Sequence, residues 1–139
     1  MECVLDAKAH LGESAVWDAQ EGALFWTDID AGRVHRFDPA TGEDTHIEVG
    51  EKAGCVALRR KGGAVLGAAS GVYTLDLVTG EKTLVSPVEA DLPYNRFNDG
   101  ATDRQGRFWM GTYSMVKPQR PDAAFYRLDP DHTVSKWRG

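Results

Sequence analysis

The chain has 139 residues, 42% hydrophobic and 27% charged, with 16 basic and 21 acidic residues for a formal net charge of −5. This is ordinary globular composition, and neither sign gathers into a run of five or more, which argues against a nucleic-acid-binding face. No stretch approaches the roughly 18 to 20 apolar residues of a membrane span, and no basic segment followed by an apolar run opens the chain, so a soluble, cytoplasmic protein is expected.

In chain order, Glu2-Cys3-Val4-Leu5 reads as an extra strand that would complete the last blade of a closed ring, its partner missing here. Short apolar runs rich in aromatic and β-branched residues follow at 24–29, 33–37, 71–75, 107–110 and 125–128, separated by turn signals that draw on 15 glycines. Such runs read as strands of four to six residues, and no helical stripe longer than two turns competes with them. Cys3 and Cys55 form no C-x-x-C pair, and both read as small buried apolar residues. His10, His35, His46 and His132 fall in no local metal-binding spacing.

An internal repeat sets the architecture. Phe37-Asp38-Pro39-Ala40-Thr41-Gly42-Glu43 returns as Leu75-Asp76-Leu77-Val78-Thr79-Gly80-Glu81, and its first half returns as Leu128-Asp129-Pro130. The turn at 18–22 has counterparts at 59–62 and 103–106. Four antiparallel strands in about 40 to 50 residues make one propeller blade. The expected fold is therefore all-β, with blades at about 10–50, 51–88 and 95–139. Propellers close with about 4 to 8 blades, so three blades predict half of a ring. Either the chain is part of a longer protein, or two copies pair through open blade edges, or the array stays open.

What recurs in every blade is best explained by the fold. Asp38, Asp76 and Asp129, with Asp18 and Asp103, are expected to cap turns; Phe25-Trp26 and Phe108-Trp109 are expected to pack. What differs at one equivalent position is the better functional candidate. Aligning the first strands on Trp17, Leu58 and Thr102 puts Glu13, Gly54 and Asn98 at one depth around the axis. A carboxylate and an amide oxygen with a glycine leaving room between them suit a hard divalent cation. The alternative is an exposed loop carboxylate and a turn residue in Asn98-Asp99-Gly100. Strand alternation also turns Arg96 toward Asn98, which suits a polyhydroxylated or anionic ligand, unless Arg96 only pairs with a neighbouring acid.

Two segments resemble the senescence marker protein (regucalcin), gluconolactonase and luciferin-regenerating enzyme family. They are His10-Leu11-Gly12-Glu13-Ser14-Ala15-Val16-Trp17, followed by Phe25-Trp26-Thr27-Asp28-Ile29, and Asn95-Arg96-Phe97-Asn98-Asp99-Gly100, followed by Gly106-Arg107-Phe108-Trp109-Met110-Gly111-Thr112. The resemblance runs from about Cys3 to Trp137. It implies a six-bladed propeller that hydrolyses sugar lactones with one divalent metal, calcium, zinc, magnesium, manganese or iron, at the top of its channel. It also implies that this chain is the N-terminal half, that Glu13 is a metal ligand, and that Arg96 and Asn98 contact the sugar. The family's other two metal ligands, one of them the proposed base, have no counterpart in this half, so no catalytic residue is assigned. Asp99 carries only a turn-shaping role. The loop Tyr113 to Asp122 is basic where some relatives are acidic; Lys117 or Arg120 would favour an acidic substrate, or are simply solvated charges. Two other classes of function remain open, a calcium-binding regulatory protein without turnover and a half-propeller assembly module.

Overall fold

A computed structural model describes residues 2–138, so positions 1 and 139 of the expected 1–139 unit lie outside the described residues. Among the described residues, twelve strands form three antiparallel sheets of four, each in sequence order. The first holds β1 (Gly12–Asp18), β2 (Ala23–Asp28), β3 (Arg33–Asp38) and β4 (Glu43–Glu48). The second holds β5 (Ala53–Leu58), β6 (Ala64–Ala68), β7 (Gly71–Leu75) and β8 (Lys82–Ser86). The third holds β9 (Asn95–Thr102), β10 (Phe108–Ser114), β11 (Phe125–Leu128) and β12 (Val134–Arg138). Every connection within a sheet is a hairpin, as the repeat predicts. Residues 2–5 form no strand; an extended segment without a ladder partner has nowhere to place its backbone hydrogen bonds.

The turns follow the expected chemistry with one correction. Asp18 accepts the Gln20 N–H at 2.8 Å, Asp38 that of Ala40 at 2.8 Å, and Asp76 those of Val78 and Thr79, both at 2.8 Å. Asp103 accepts the N–H groups of Gln105 and Arg107 at 2.9 and 3.0 Å. Asp129 does not cap its turn. Its carboxylate takes the Arg127 guanidinium at 2.8 Å, and Asp131 caps instead by accepting the Thr133 N–H at 2.9 Å. A charge-assisted bond is roughly twice as strong as a neutral one, so a cation two residues away captures the aspartate.

The sheets stack face to face, and the middle one is covered on both sides. Val34 and Val49 of the first blade pack on Ala53, Val56, Ala64, Leu66, Ala68 and Leu75. The opposite face of the second blade, with Cys55, Ala57, Val65 and Val72, packs on Phe97, Phe108, Met110, Tyr126 and Leu128. Hence β5 and β6 are buried almost throughout, with small residues and no alternation, the pattern of a strand covered on two faces. Cys55 is fully buried, which pushes its thiol pKa far up, so it is apolar filling as its spacing suggested; Cys3 is instead exposed, because residues 2–5 join no sheet that could cover it. Outer strands β4 and β8 face solvent and are mostly polar. Trp26 is buried and stacks on His35 at 3.9 Å, while Trp109 stacks on Phe125 at 5.5 Å.

Candidate functional site

The innermost strands β1, β5 and β9 lie against one another, which brings the starts of all three to one end of the molecule. At that end each departs from regular pairing. The β1/β2 register slips between Glu13 and Val16, β5/β6 between Ala53 and Cys55, and β9/β10 between Phe97 and Asp99. Each inner strand thus carries a bulge at the depth of Glu13, Gly54 and Asn98. Bulges leave a residue out of the ladder and re-aim side chains. Asn98 therefore belongs to a continuous strand, not to a turn; neither does Asp99 shape one, since its carboxylate accepts the adjacent Gly100 N–H at 2.8 Å within β9.

Gly54 does not leave room for a cation. A Cβ built on it would lie 2.0 Å from the Phe97 carbonyl oxygen and 2.3 Å from its carbon, so the space is filled by the β9 backbone. The missing side chain lets two inner strands touch. Ser14, with φ at 54°, makes the matching contact on the other side: its hydroxyl oxygen accepts the Val56 N–H at 3.0 Å. The first, second and third blades are tied together directly beneath the mouth.

Arg96 is only 7% exposed. Its Nη1 donates to the Phe97 carbonyl at 2.9 Å and to Asn98 Oδ1 at 2.8 Å, and the guanidinium lies 5.1 Å from the centre of the Tyr113 ring. Burial pushes its pKa down, opposed by the fields of Asp30, Tyr113 and Glu13. Arginine keeps its proton at any ordinary pH, so the mouth holds a fixed, partly desolvated cation with acidic groups beside it. Asp30 also pairs with Lys52. Arg96 and Asn98 do share a side, as alternation predicted. The Asn98 amide oxygen, however, is committed to Arg96, so this residue offers Nδ2–H donors instead of an oxygen for a metal.

Glu13 is exposed, and its backbone carbonyl accepts the Thr27 hydroxyl at 3.2 Å. Its strand is fixed from behind by Asp28, buried below β1, which accepts the N–H groups of His10, Leu11 and Ala31 at 2.8, 3.0 and 3.3 Å. Burial raises the Asp28 pKa, but those three backbone donors together outweigh it and hold the carboxyl below its usual value. A divalent cation takes several oxygen donors. Glu13 fits as one, and no group of three His, Cys, Asp or Glu among the described residues could complete the set.

The loop after β10 is held down by its own contacts. Tyr94 donates to Asp122 at 2.7 Å, and Arg120 pairs with Asp122 at 3.1 Å while lying 4.6 Å from the Tyr94 ring centre. The Tyr94 hydroxyl holds the Asp122 pKa down. Arg120 is therefore paired within its loop, and Lys117, also exposed, is the loop cation without an ion pair among the described residues. Sequence reasoning missed the bulges, the Ser14 cross-blade bond and the Tyr113 face over Arg96. Only Gly54 carried a signal for any of them, as a glycine where the other blades have side chains.

Three four-stranded antiparallel sheets with converging inner strands and a polar mouth at one end define consecutive blades of a β-propeller. The chain belongs to the SMP-30/gluconolactonase/LRE-like family, whose model matches residues 11–139. It is 38% identical to a 6-deoxy-6-sulfogluconolactonase of Pseudomonas putida over 100% of this chain and 47% of that protein. It is 39% identical to regucalcin of Xenopus laevis over 98% of this chain and 47% of that one. The chain spans about half the length of the curated relatives it matches. Among solved structures, a calcium-binding protein, regucalcin, from Agrobacterium tumefaciens aligns with a TM-score of 0.85 at 27% identity, covering 94% of this chain and 43% of its own. A luciferin-regenerating enzyme shares the fold with a TM-score of 0.81 at 24% identity, over 94% of this chain and 46% of its own. No helix among the described residues is long and apolar enough to cross a membrane.

Proposed function

We propose that the chain is the N-terminal half of a six-bladed, metal-dependent sugar lactonase. In this reading Glu13 supplies one ligand to a divalent cation, and Arg96 with Asn98 holds the lactone. The observation that carries it is the buried Arg96 clamped to Asn98 at a mouth that also holds Glu13, in a chain similar along its whole length to a sulfogluconolactonase.

Hydrolysis adds water to the ring ester carbonyl, builds negative charge on that oxygen, and then breaks the ring C–O bond to give a hydroxyl and a carboxylate. A bound divalent metal stabilises that charge or lowers the pKa of a water. The residues of this half bind and orient. Arg96 spends Nη1 on protein oxygens, which fixes its plane and leaves Nε and Nη2 as donors; Asn98 adds Nδ2 beside them. A rigid pair of donors suits ring hydroxyls, and positioning of that kind is worth several kcal/mol of barrier in favourable cases, on the order of 7. Lys117, in the loop above β10, favours a lactone with an anionic substituent.

The test is hydrolysis of aldonolactones by the full-length protein of which this chain is the N-terminal half, followed as acid release with and without chelator, together with calorimetric metal titration; the 139 residues alone, with one of the three implied metal ligands, are expected to bind metal weakly and to be inactive. Glu13→Gln is expected to weaken metal binding at least tenfold and to lower turnover with it. Unchanged metal affinity and turnover would remove Glu13 from the site. A second reading, calcium binding without turnover, is favoured by the similarity to a calcium-binding regucalcin; it wins if calcium binds and no lactone is opened.

A further inference from the structure

The end of the molecule opposite Glu13 carries a cleft of about 890 Å³ between the second and third blades. Its apolar floor is Ala57, Val65, Phe108 and Leu128, all buried core residues. Its rim includes Arg59, Arg60 and Lys61 from the β5/β6 turn and Arg104 from the β9/β10 turn. The ion pairs among the described residues use other cations, so these four are unpaired. The carboxylates that share the rim are largely committed. Asp103 is taken by Arg107 and the Trp109 indole, and Asp129 by Arg127, leaving Asp131 as the one without a cation. A chain of formal charge −5 thus concentrates free positive charge in one place. The sequence does not display this, because the four residues come from two turns far apart in the chain.

The repeat adds an independent observation. The first hairpin turn of each blade opens at Asp18, Arg59 and Asp103. The two aspartates cap their own turns, whereas the second blade has a guanidinium there and closes its turn with backbone bonds alone, Arg59 N–H to Gly63 and Gly62 N–H to Arg59, both at 3.0 Å. A capping residue favoured by the turn itself has given way to a cation aimed at the cleft rim. Guanidinium forks above an apolar floor suit a phosphate-bearing organic molecule, and the volume is that of a small-ligand site.

We propose that this cleft binds an organic polyphosphate, with Arg59, Arg60, Lys61 and Arg104 on the phosphates and the apolar floor beneath the organic part. The test is calorimetric titration of the full chain with adenosine triphosphate and with inorganic triphosphate at two salt concentrations. The nucleotide should bind more tightly than triphosphate, and added salt should weaken both. Arg59→Asp with Arg104→Gln should cost at least tenfold in affinity and flatten the salt dependence. Arg59→Asp restores the aspartate of the other two turns, so the fold is kept. Absence of saturable binding, equal affinity for the two probes, or undiminished binding by the double variant would overturn the assignment. Lactone hydrolysis at the opposite end is a separate readout, so either proposal can fail alone.

Discussion

Gly54→Ala adds one methyl group where the second and third blades meet. Gly54 has no positive φ, so alanine is not strained by its own backbone there, and restricting the unfolded chain would by itself stabilise by about 0.4–1 kcal/mol. The neighbours reverse the sign. The new Cβ would fall 2.0 Å from the Phe97 oxygen and 3.0 Å from the Asn98 nitrogen, where ordinary contact begins at 3.4 Å. The obstacle is the backbone of β9, held in the ladder with β10 and unable to swing aside like a side-chain tip, so β5 and β9 must part by about 1.4 Å. Overpacking of a core costs about 1–3 kcal/mol, occasionally more, and a clash of backbone on backbone belongs at the upper end, about 3 kcal/mol. Urea unfolding of the full chain, with the slope checked for constancy, measures the loss. Since Phe97 and Asn98 supply the two acceptors of the Arg96 guanidinium, the proposed function further requires lactone affinity to fall as well. A variant as stable as the parent within about 0.5 kcal/mol would refute the reasoning, because it would mean that the two strands are not in contact.

Ser14→Ala removes the acceptor for the Val56 N–H, which lies in the core between the first two blades; the expected loss is about 1–3 kcal/mol in the same unfolding experiment. Asp103→Asn tests a charge in the turn of the third blade. The Trp109 indole, opposed by burial and helped by the Arg107 and Gln105 backbone N–H groups and the Arg107 guanidinium, holds Asp103 down to about 2 against an ordinary 3.8. A carboxyl depressed on folding adds stability above its unfolded pKa and loses it as pH falls through the folded one. The gap in stability between parent and Asp103→Asn should therefore be constant above about pH 4.5 and close between pH 4 and pH 2, as read by thermal unfolding across pH. A gap that persists unchanged at pH 2 would show that the charge on Asp103 contributes nothing.

The fold was legible where aromatic residues and turns carry it. Residues 71–75 and 125–128 are strands with the predicted bounds, and the others of that set start or end within a few residues of expectation. The strands at 53–58 and 64–68 gave little local signal, because a blade covered on both faces needs small residues, and Ala, Gly and Cys carry no strand preference. The repeat supplied them instead. Asp129 shows the limit of that method: repetition predicted a cap, while a cation two residues away, specific to the third blade, decided the hydrogen bond.

Repetition put Glu13, Gly54 and Asn98 at one depth, and it misjudged the use of Gly54 there. Counting back four residues from Trp17, Leu58 and Thr102 assumes regular strands, yet all three inner strands are bulged at that depth. The alignment survived because each of the three carries the irregularity. Alternation survived at Arg96 and Asn98 because the side chains hold each other. What could not be read was the use of Gly54. In one dimension a glycine between two polar residues is a vacancy, whereas in the folded molecule it is the place where a neighbouring backbone arrives. The cations of the opposite cleft make the same point in reverse, since 59–61 and 104 belong to turns some 40 residues apart that only blade stacking brings to one rim. Residues that differ at equivalent positions of a repeat are thus worth testing at both ends of a propeller, with Glu13 against Gly54 and Asn98 at one and Arg59 against Asp18 and Asp103 at the other.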